Sequence, residues 1–138
     1  MVEAQNTKNI DQFVDKSLLL VDDDNPFRER LARAMEKKGF AVSQAESVKN
    51  GIALAKQKKP AFAVVDLRLG DGNGLQVVKE IQTSNSESRV IMLTGYGNIP
   101  TAVAAIKEGA IDYLAKPADA EDVEKALLAD PSKKAAPP

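Results

Sequence analysis

An α/β fold, with a doubly wound parallel sheet and helices on both faces, is predicted by three observations. Short strand-like runs recur along the 138-residue chain, at residues 17–21, 40–45, 62–66, 89–94 and 111–115, and the one at residues 62–66 is apolar and rich in β-branched residues. Each run is followed by a stretch of helical periodicity. Strands alternating with helices at such spacing imply crossover helices on the sheet faces, and right-handed crossovers leave few topologies. Finally, polar residues stand where the runs end: Asp22-Asp23-Asp24, Asp66, Thr94 and Lys116. Open α/β sheets bind their ligands at that edge.

Residues 1–16 are polar with scattered apolar positions, and are expected to form a flexible tail with one helical turn around residues 10–14. S-L-L-L-V at residues 17–21 reads as a buried strand. Asn25 is the expected cap of the first helix, with Pro26 at its first position, where a fixed φ and a missing N–H are tolerated. Phe27, Leu31, Ala34 and Met35 share its inner face, and Gly39 stops it. Residues 40–45 form a second strand ending at Glu46, set apart from the site because this strand is expected at the sheet edge. Ser47 caps a helix over residues 48–58 whose C-terminal lysines suit the negative end of the helix dipole, and Pro60 prevents its continuation.

The third strand ends at Asp66, and Gly70, Gly72 and Gly74 mark a mobile, tightly turning loop. A helix over residues 74–82 follows, with Leu75, Val78 and Ile81 inward. R-V-I-M-L-T at residues 89–94 is the fourth strand, and a helix is expected around residues 100–108, ended by Gly109. The fifth strand leads to Lys116-Pro117. Asp119 caps a last helix to about residue 129, with Val123 and Leu127 inward. Residues 130–138, D-P-S-K-K-A-A-P-P, have linker composition.

The chain contains no Cys and no His, which excludes a disulfide scaffold, a thiolate zinc site, a cysteine nucleophile and a His-dependent triad. A formal net charge of −1 gives no general drive toward nucleic acid. No apolar run approaches the ~20 residues of a membrane span, and the first residues lack a signal-peptide pattern. The expected compartment is therefore cytoplasmic, without a membrane partner.

Several carboxylates crowded at one edge repel one another, and a bound divalent cation relieves that repulsion. Hard oxygen ligands select Mg²⁺ or a similar ion, which keeps waters that a phosphate oxygen can replace. A lysine on one side and a hydroxyl on the other complete a phosphate cradle. An aspartate is an adequate nucleophile for a phosphoryl group. Each feature alone has an ordinary explanation: a helix N-terminus for the acidic triplet, a solvated surface lysine for Lys116, a strand end for Thr94. Their joint occurrence at successive strand ends, in order, argues for a site.

The sequence resembles the receiver domain of two-component response regulators. L-L-L-V-D-D-D-N-P-F-R, V-V-D-L-R-L-G-D-G-N-G-L, V-I-M-L-T-G-Y and G-A-I-D-Y-L-A-K-P carry the resemblance, which spans residues 17–129. The stretch T-G-Y-G-N-I-P-T-A-V-A-A-I-K-E-G-A-I-D-Y-L-A-K-P-A-D-A is similar to the RegA, PrrA and ActR group of redox- and acid-response regulators. The resemblance implies a flavodoxin-like (βα)5 fold with strand order 2-1-3-4-5. It makes Asp66 the phosphoacceptor, and Asp23 a direct Mg²⁺ ligand assisted by Asp22 and by the backbone carbonyl of Arg68. Thr94 would bond a phosphoryl oxygen, Lys116 would pair with its charge, and Tyr113 would be the switch aromatic. Lys116–Pro117 would be a cis peptide. Gly70 stands where many receivers have proline, so a more mobile loop is expected. Arg68 and Tyr96 each lie two residues beyond a site residue, Asp66 and Thr94. Both are bulky and poor at orienting water, so they are expected to prolong the phosphorylated state.

The implied partner is a sensor histidine kinase. A homodimer through the fourth helix, fifth strand and fifth helix is expected on phosphorylation, and DNA binding only through a C-terminal domain that the chain does not contain. Residues 17–129 would then be the receiver and residues 130–138 a linker. No enzymatic activity is expected beyond Mg²⁺-dependent self-phosphorylation and self-dephosphorylation of Asp66. A stand-alone phosphorelay receiver is one alternative. A haloacid-dehalogenase-type phosphatase is a second, disfavoured because Arg68 stands where that chemistry needs an acid. An FMN-binding fold is a third, disfavoured because the acidic triplet would repel phosphate.

Overall fold

Alternation along the central strands decides the layering. The protein is described by a computed structural model covering residues 10–95, 99–107 and 112–129. In β1 (Ser17–Val21), Leu18 and Leu20 join the core on one face of the sheet and Leu19 and Val21 the core on the other. In β3 (Phe62–Asp66), Phe62 and Val64 take the first face, and Ala63 and Val65 the second. Successive Cβ atoms of a strand alternate, so strands with no polar face need cover on both sides. α1 (Asn25–Lys37) and α5 (Ala120–Leu128) pack on the first face through Leu31, Met35, Val123 and Leu127. α2 (Val48–Lys58) and α3 (Gly74–Ser84) pack on the second through Val48, Ala55, Val77, Val78 and Ile81. β2 (Ala41–Ala45), β4 (Arg89–Thr94) and β5 (Asp112–Ala115) complete a five-stranded sheet ordered β2-β1-β3-β4-β5, parallel throughout. α4 (Ile99–Lys107) lies in the connection between β4 and β5. This is the doubly wound order expected.

Several local details differ from expectation. The cap of α1 is Asp24, not Asn25: its side chain accepts the Phe27 N–H at 3.1 Å, from extended backbone. Three aspartates and an asparagine in a row all have capping chemistry, and the backbone conformation selects among them. The inner face of α1 also includes Arg28 and Ala32. In α3, Val77 is buried along with Val78 and Ile81, while Leu75 is half-buried. The cause is Gly51 of α2, whose missing side chain lets Val77 approach: a Cβ there would stand 3.2 Å from a Val77 methyl. The helical turn expected near residue 10 is a 3-10 turn, Ile10–Gln12, and Ile10 is 2% exposed. Phe13 stacks edge-on against Phe62 with centroids 5.2 Å apart. The packed body therefore reaches upstream of β1, and burying one such apolar side chain contributes about 1.5–3 kcal/mol. The glycine-rich segment after Asp66 is not an open turn. Arg68–Leu69 and Gly72–Asn73 pair as a small antiparallel hairpin. Tyr96, Glu108, Gly109, Ile111, residues 1–9 and residues 130–138 lie outside the described residues.

Candidate functional site

Register alone brings the acidic strand ends together. β1 and β3 pair with Val21 beside Val65, so the next residues, Asp22 and Asp66, stand abreast on neighbouring strands about 4.8 Å apart. Asp66 in turn pairs with Leu93, and Thr94 with Ala115, which sets Lys116 one residue further along the same edge. Backbone bonds past the strand ends hold this edge: Asp22 N to the Ala45 carbonyl at 3.1 Å, Leu67 N to Leu93 at 2.9 Å and Lys116 N to Thr94 at 2.8 Å. Lys116–Pro117 is cis.

Asp22, Asp23 and Asp66 each present a carboxylate oxygen, and these oxygens lie within 4.8 Å of one another. Asp22 and Asp66 are buried, 3% and 7% exposed, while Asp23 faces solvent. The Lys116 ammonium lies 2.9 Å from Asp22 Oδ2 and 3.3 Å from Asp66 Oδ2. It also stands 5.0 Å from the centre of the Phe27 ring. Asp22 Oδ1 accepts the Asp24 N–H at 2.9 Å, whereas buried Oδ2 takes no well-aligned hydrogen bond and lies 2.9 Å from the ammonium. Burial, and then the Asp22 charge, push the Asp66 carboxyl up to about 6, against the opposing pull of Lys116. Burial also works against the Lys116 charge, but the nearby Asp22 carboxylate, and then Asp66, hold its pKa above 10.5. One ammonium thus faces two buried carboxylates, with the Asp23 carboxylate close by.

Hard oxygen donors with an excess of negative charge, and one buried oxygen without an aligned donor, fit a small divalent cation. Arg68 N reaches Asp66 Oδ1 at a long 3.4 Å, while the Arg68 side chain is exposed. Thr94 is fully buried at the end of β4, and its hydroxyl donates to the Gly95 carbonyl at 3.2 Å. Tyr113 is half-buried on the α2–α3 side of the sheet. The structure thus gathers Asp22, Asp23, Asp66 and Lys116 at one place on the sheet edge and aligns Thr94 on the same edge.

Two supports were not foreseen from the sequence. Arg28, 9% exposed, donates from Nη1 to the Asp22 carbonyl at 2.8 Å and to Asn25 Oδ1 at 2.7 Å, and from Nε to Gln44 Oε1 at 2.9 Å. It ties α1 and β2 to the backbone of the acidic turn. The signal was its place one turn after Asp24 on the inner stripe, where a cation next to acidic residues invites pairing. Gly74 opens α3 against the site, donating its N–H to the Leu67 carbonyl at 2.8 Å. A Cβ at Gly74 would overlap the Asp66 carbonyl oxygen, so only glycine permits this approach.

The fold and this edge define a phosphoryl-signalling receiver, and the comparisons agree. A model of the response regulator receiver domain matches residues 18–128, and the chain belongs to that family. It is 60% identical over 124 residues to the acid tolerance regulatory protein ActR of Sinorhizobium medicae, covering 90% of this chain and 64% of that protein. It is 61% identical over 115 residues to the photosynthetic apparatus regulatory protein RegA of Rhodobacter capsulatus, covering 83% of this chain and 62% of that protein. The chain therefore spans less than two thirds of the length of these relatives. Among solved structures it is similar to a response regulator from Burkholderia pseudomallei, with a TM-score of 0.80 and 41% identity, covering 86% of this chain and 70% of that one. That structure holds a phosphorylated aspartic acid, a calcium ion and citrate. Family membership leaves the phosphatase and FMN alternatives without support. Among the described residues, no helix is long and apolar enough to cross a membrane.

Proposed function

We propose that this chain is the phosphorylation switch of a two-component transcriptional regulator, with Asp66 as phosphoacceptor and a sensor histidine kinase as donor. The observation that carries this is the buried Asp66 carboxylate, flanked by Asp22 and Lys116 at the C-terminal edge of the sheet. An Asp66 oxygen attacks phosphorus as the bond from phosphorus to the donor imidazole breaks. The electron pair leaves with that ring nitrogen, which regains a proton. Lys116 pairs with the charge on the transferred group, and Thr94 offers its hydroxyl to a phosphoryl oxygen. Asp22, Asp23, Asp66 and the Arg68 carbonyl would hold Mg²⁺, which when bound supplies charge neutralisation to the transferring group. The regulator parentage, with residues 130–138 as linker to a DNA-binding domain, is supported by the ActR and RegA likeness.

Incubation with acetyl phosphate and Mg²⁺ should add one phosphoryl mass to the wild type and none to Asp66→Asn. Full labelling of the variant would sink the assignment. Decay of the label reads the two lifetime positions: Arg68→Asn and Tyr96→Glu should each shed it faster, and unchanged decay in both would remove their role.

Signal output through α4, β5 and α5 is the finer part of the proposal. Tyr113 would turn inward as Thr94 moves toward the phosphoryl group. On this face Val103 and Ile106 are 44% and 40% exposed, apolar area for a two-fold pair. Two acidic residues of α5 are engaged within the chain: Lys38, following α1, bonds Glu121 at 2.7 Å and Glu124 at 3.2 Å. Lys107, Asp122 and Lys125 lie on the same elements and would set the pairing. Sedimentation should show stronger dimerisation with beryllofluoride and Mg²⁺ than without, and weakening in Val103→Asp. A monomer in both states would defeat the dimer while leaving the phosphoryl chemistry intact.

A further inference from the structure

One neighbouring and one distant residue satisfy the first turn of α2. Ser47 Oγ accepts the Asn50 N–H at 3.1 Å, an ordinary cap. The two N–H groups before it are bonded from elsewhere: Val48 N donates to Asp71 Oδ1 at 2.8 Å, and Lys49 N to Asp71 Oδ2 at 3.1 Å. First-turn N–H groups have no partner within their own helix, and a carboxylate suits the positive end of the helix dipole. The two bonds hold the Asp71 carboxyl below its usual range, so it is ionised at neutral pH.

Asp71 sits in the two-residue turn of the hairpin that follows Asp66. Arg68 pairs with Asn73 and Leu69 with Gly72, and the base is closed by Gly74 N on the Leu67 carbonyl. With Gly70 and Gly72 on either side of Asp71, the tip has little stiffness of its own. Its place is fixed from outside, by the helix. Between the closed base and the anchored tip lies Arg68, whose N–H faces Asp66 Oδ1.

We propose that Asp71 is a positioning residue for the acidic site: by fastening the hairpin tip to the N-terminus of α2, it sets where the Arg68 backbone stands against Asp66. It thereby sets how well Asp22, Asp23, Asp66 and the Arg68 carbonyl hold a divalent cation. This rests on assigning those residues as the cation site. Residues that orient ligands in this way typically change metal affinity by about 10-fold or more when lost.

The test uses the whole chain and four proteins: wild type, Asp71→Ala, Asp71→Asn and Ser47→Ala. Mg²⁺ affinity is read by titration of amide NMR shifts at fixed ionic strength, and stability by urea unfolding in EDTA. Asp71→Ala should bind Mg²⁺ about 10-fold more weakly, with the Arg68 amide displaced even in metal-free protein. Asp71→Asn retains one acceptor oxygen and should recover part of the affinity. Ser47→Ala removes the other cap of the same helix. It should lose comparable urea stability yet keep wild-type Mg²⁺ affinity. Asp71→Ala binding within twofold of wild type, or Ser47→Ala weakening Mg²⁺ equally, would reduce Asp71 to a helix cap and overturn the proposal. Wild-type protein with no Mg²⁺ affinity would overturn it too, by removing the site. Wild type that binds Mg²⁺ but accepts no phosphoryl group would instead overturn the phosphoacceptor assignment and leave the Asp71 comparison standing.

Discussion

Lys116→Met should cost about 3 kcal/mol of stability in protein stripped of divalent cations, and Mg²⁺ should return most of it. The ammonium sits 2.9 and 3.3 Å from two carboxylates whose side chains are 4% and 9% exposed. Removing one partner of a buried ion pair costs about 3–5 kcal/mol, because the charge left behind has lost both water and its counter-ion. The lower end applies here, since the Lys116 side chain is itself 28% exposed and water reaches the pair. Methionine keeps the flexible apolar stem against the Phe27 ring, so the loss reports charge more than packing. A cation bound to the folded state alone contributes about 2.7 kcal/mol at one hundred times its dissociation constant. Mg²⁺ should therefore stabilise Lys116→Met by more than it stabilises wild type, because the ammonium no longer competes for the same carboxylates. Urea unfolding at pH 7, in EDTA and in excess Mg²⁺, measures both. A loss below about 0.5 kcal/mol in EDTA would mean that the ammonium does little to offset the buried carboxylates.

What the sequence could carry of this site follows from how local each feature is. Ser17–Val21, Phe62–Asp66 and Arg89–Thr94 are bounded as expected, because a short apolar run flanked by polar residues encodes its own limits. Val48–Lys58 lies between Ser47, which caps it, and Pro60, which prevents its extension. Once those strands are parallel, the strand-end residues must converge, so the grouping of Asp22, Asp23, Asp66 and Lys116 was legible. The two buried-or-anchored polar residues were not. Arg28 looks like any exposed helix arginine until Gln44, sixteen residues away, and the Asp22 carbonyl come within reach. Asp71 looks like a turn aspartate, and its partners are 22 and 23 residues upstream. Such contacts depend on how two elements dock, which no local periodicity encodes. The Gly51–Val77 approach escaped for the same reason: a glycine inside a helix reads as a weakness until the neighbouring helix fills the space.

Asp66→Asn should stabilise the cation-free protein at pH 7 by about 1–2 kcal/mol, even as it abolishes phosphoryl acceptance. Burial and the neighbouring Asp22 push the Asp66 carboxyl from 3.8 to about 6. Between those values the folded protein binds more protons at this group than the unfolded chain does. Stability therefore falls as pH rises through that window. Well below pH 4 the group is largely neutral in both states and contributes no penalty; from about pH 6 upward most of the cost of the buried charge is present, and by pH 7 nearly all of it. At about 1.4 kcal/mol per unit the shift would correspond to roughly 3 kcal/mol. The charges beside Asp66 rearrange when it changes, which reduces what one substitution can recover. Asparagine has nearly the same shape and still offers Lys116 an acceptor oxygen, so the change isolates the charge. Every other carboxylate is common to both proteins, and their acid unfolding cancels in the difference. Urea unfolding in EDTA from pH 4 to pH 7 should show the advantage of Asp66→Asn growing from near zero to its full value and levelling off above about pH 6. With Mg²⁺ the order should reverse, because the variant has lost an anionic ligand and gains less from the ion. A variant less stable than wild type at pH 7 without metal would mean that Lys116 already compensates the Asp66 charge, and that the site is not held under electrostatic load in its resting state.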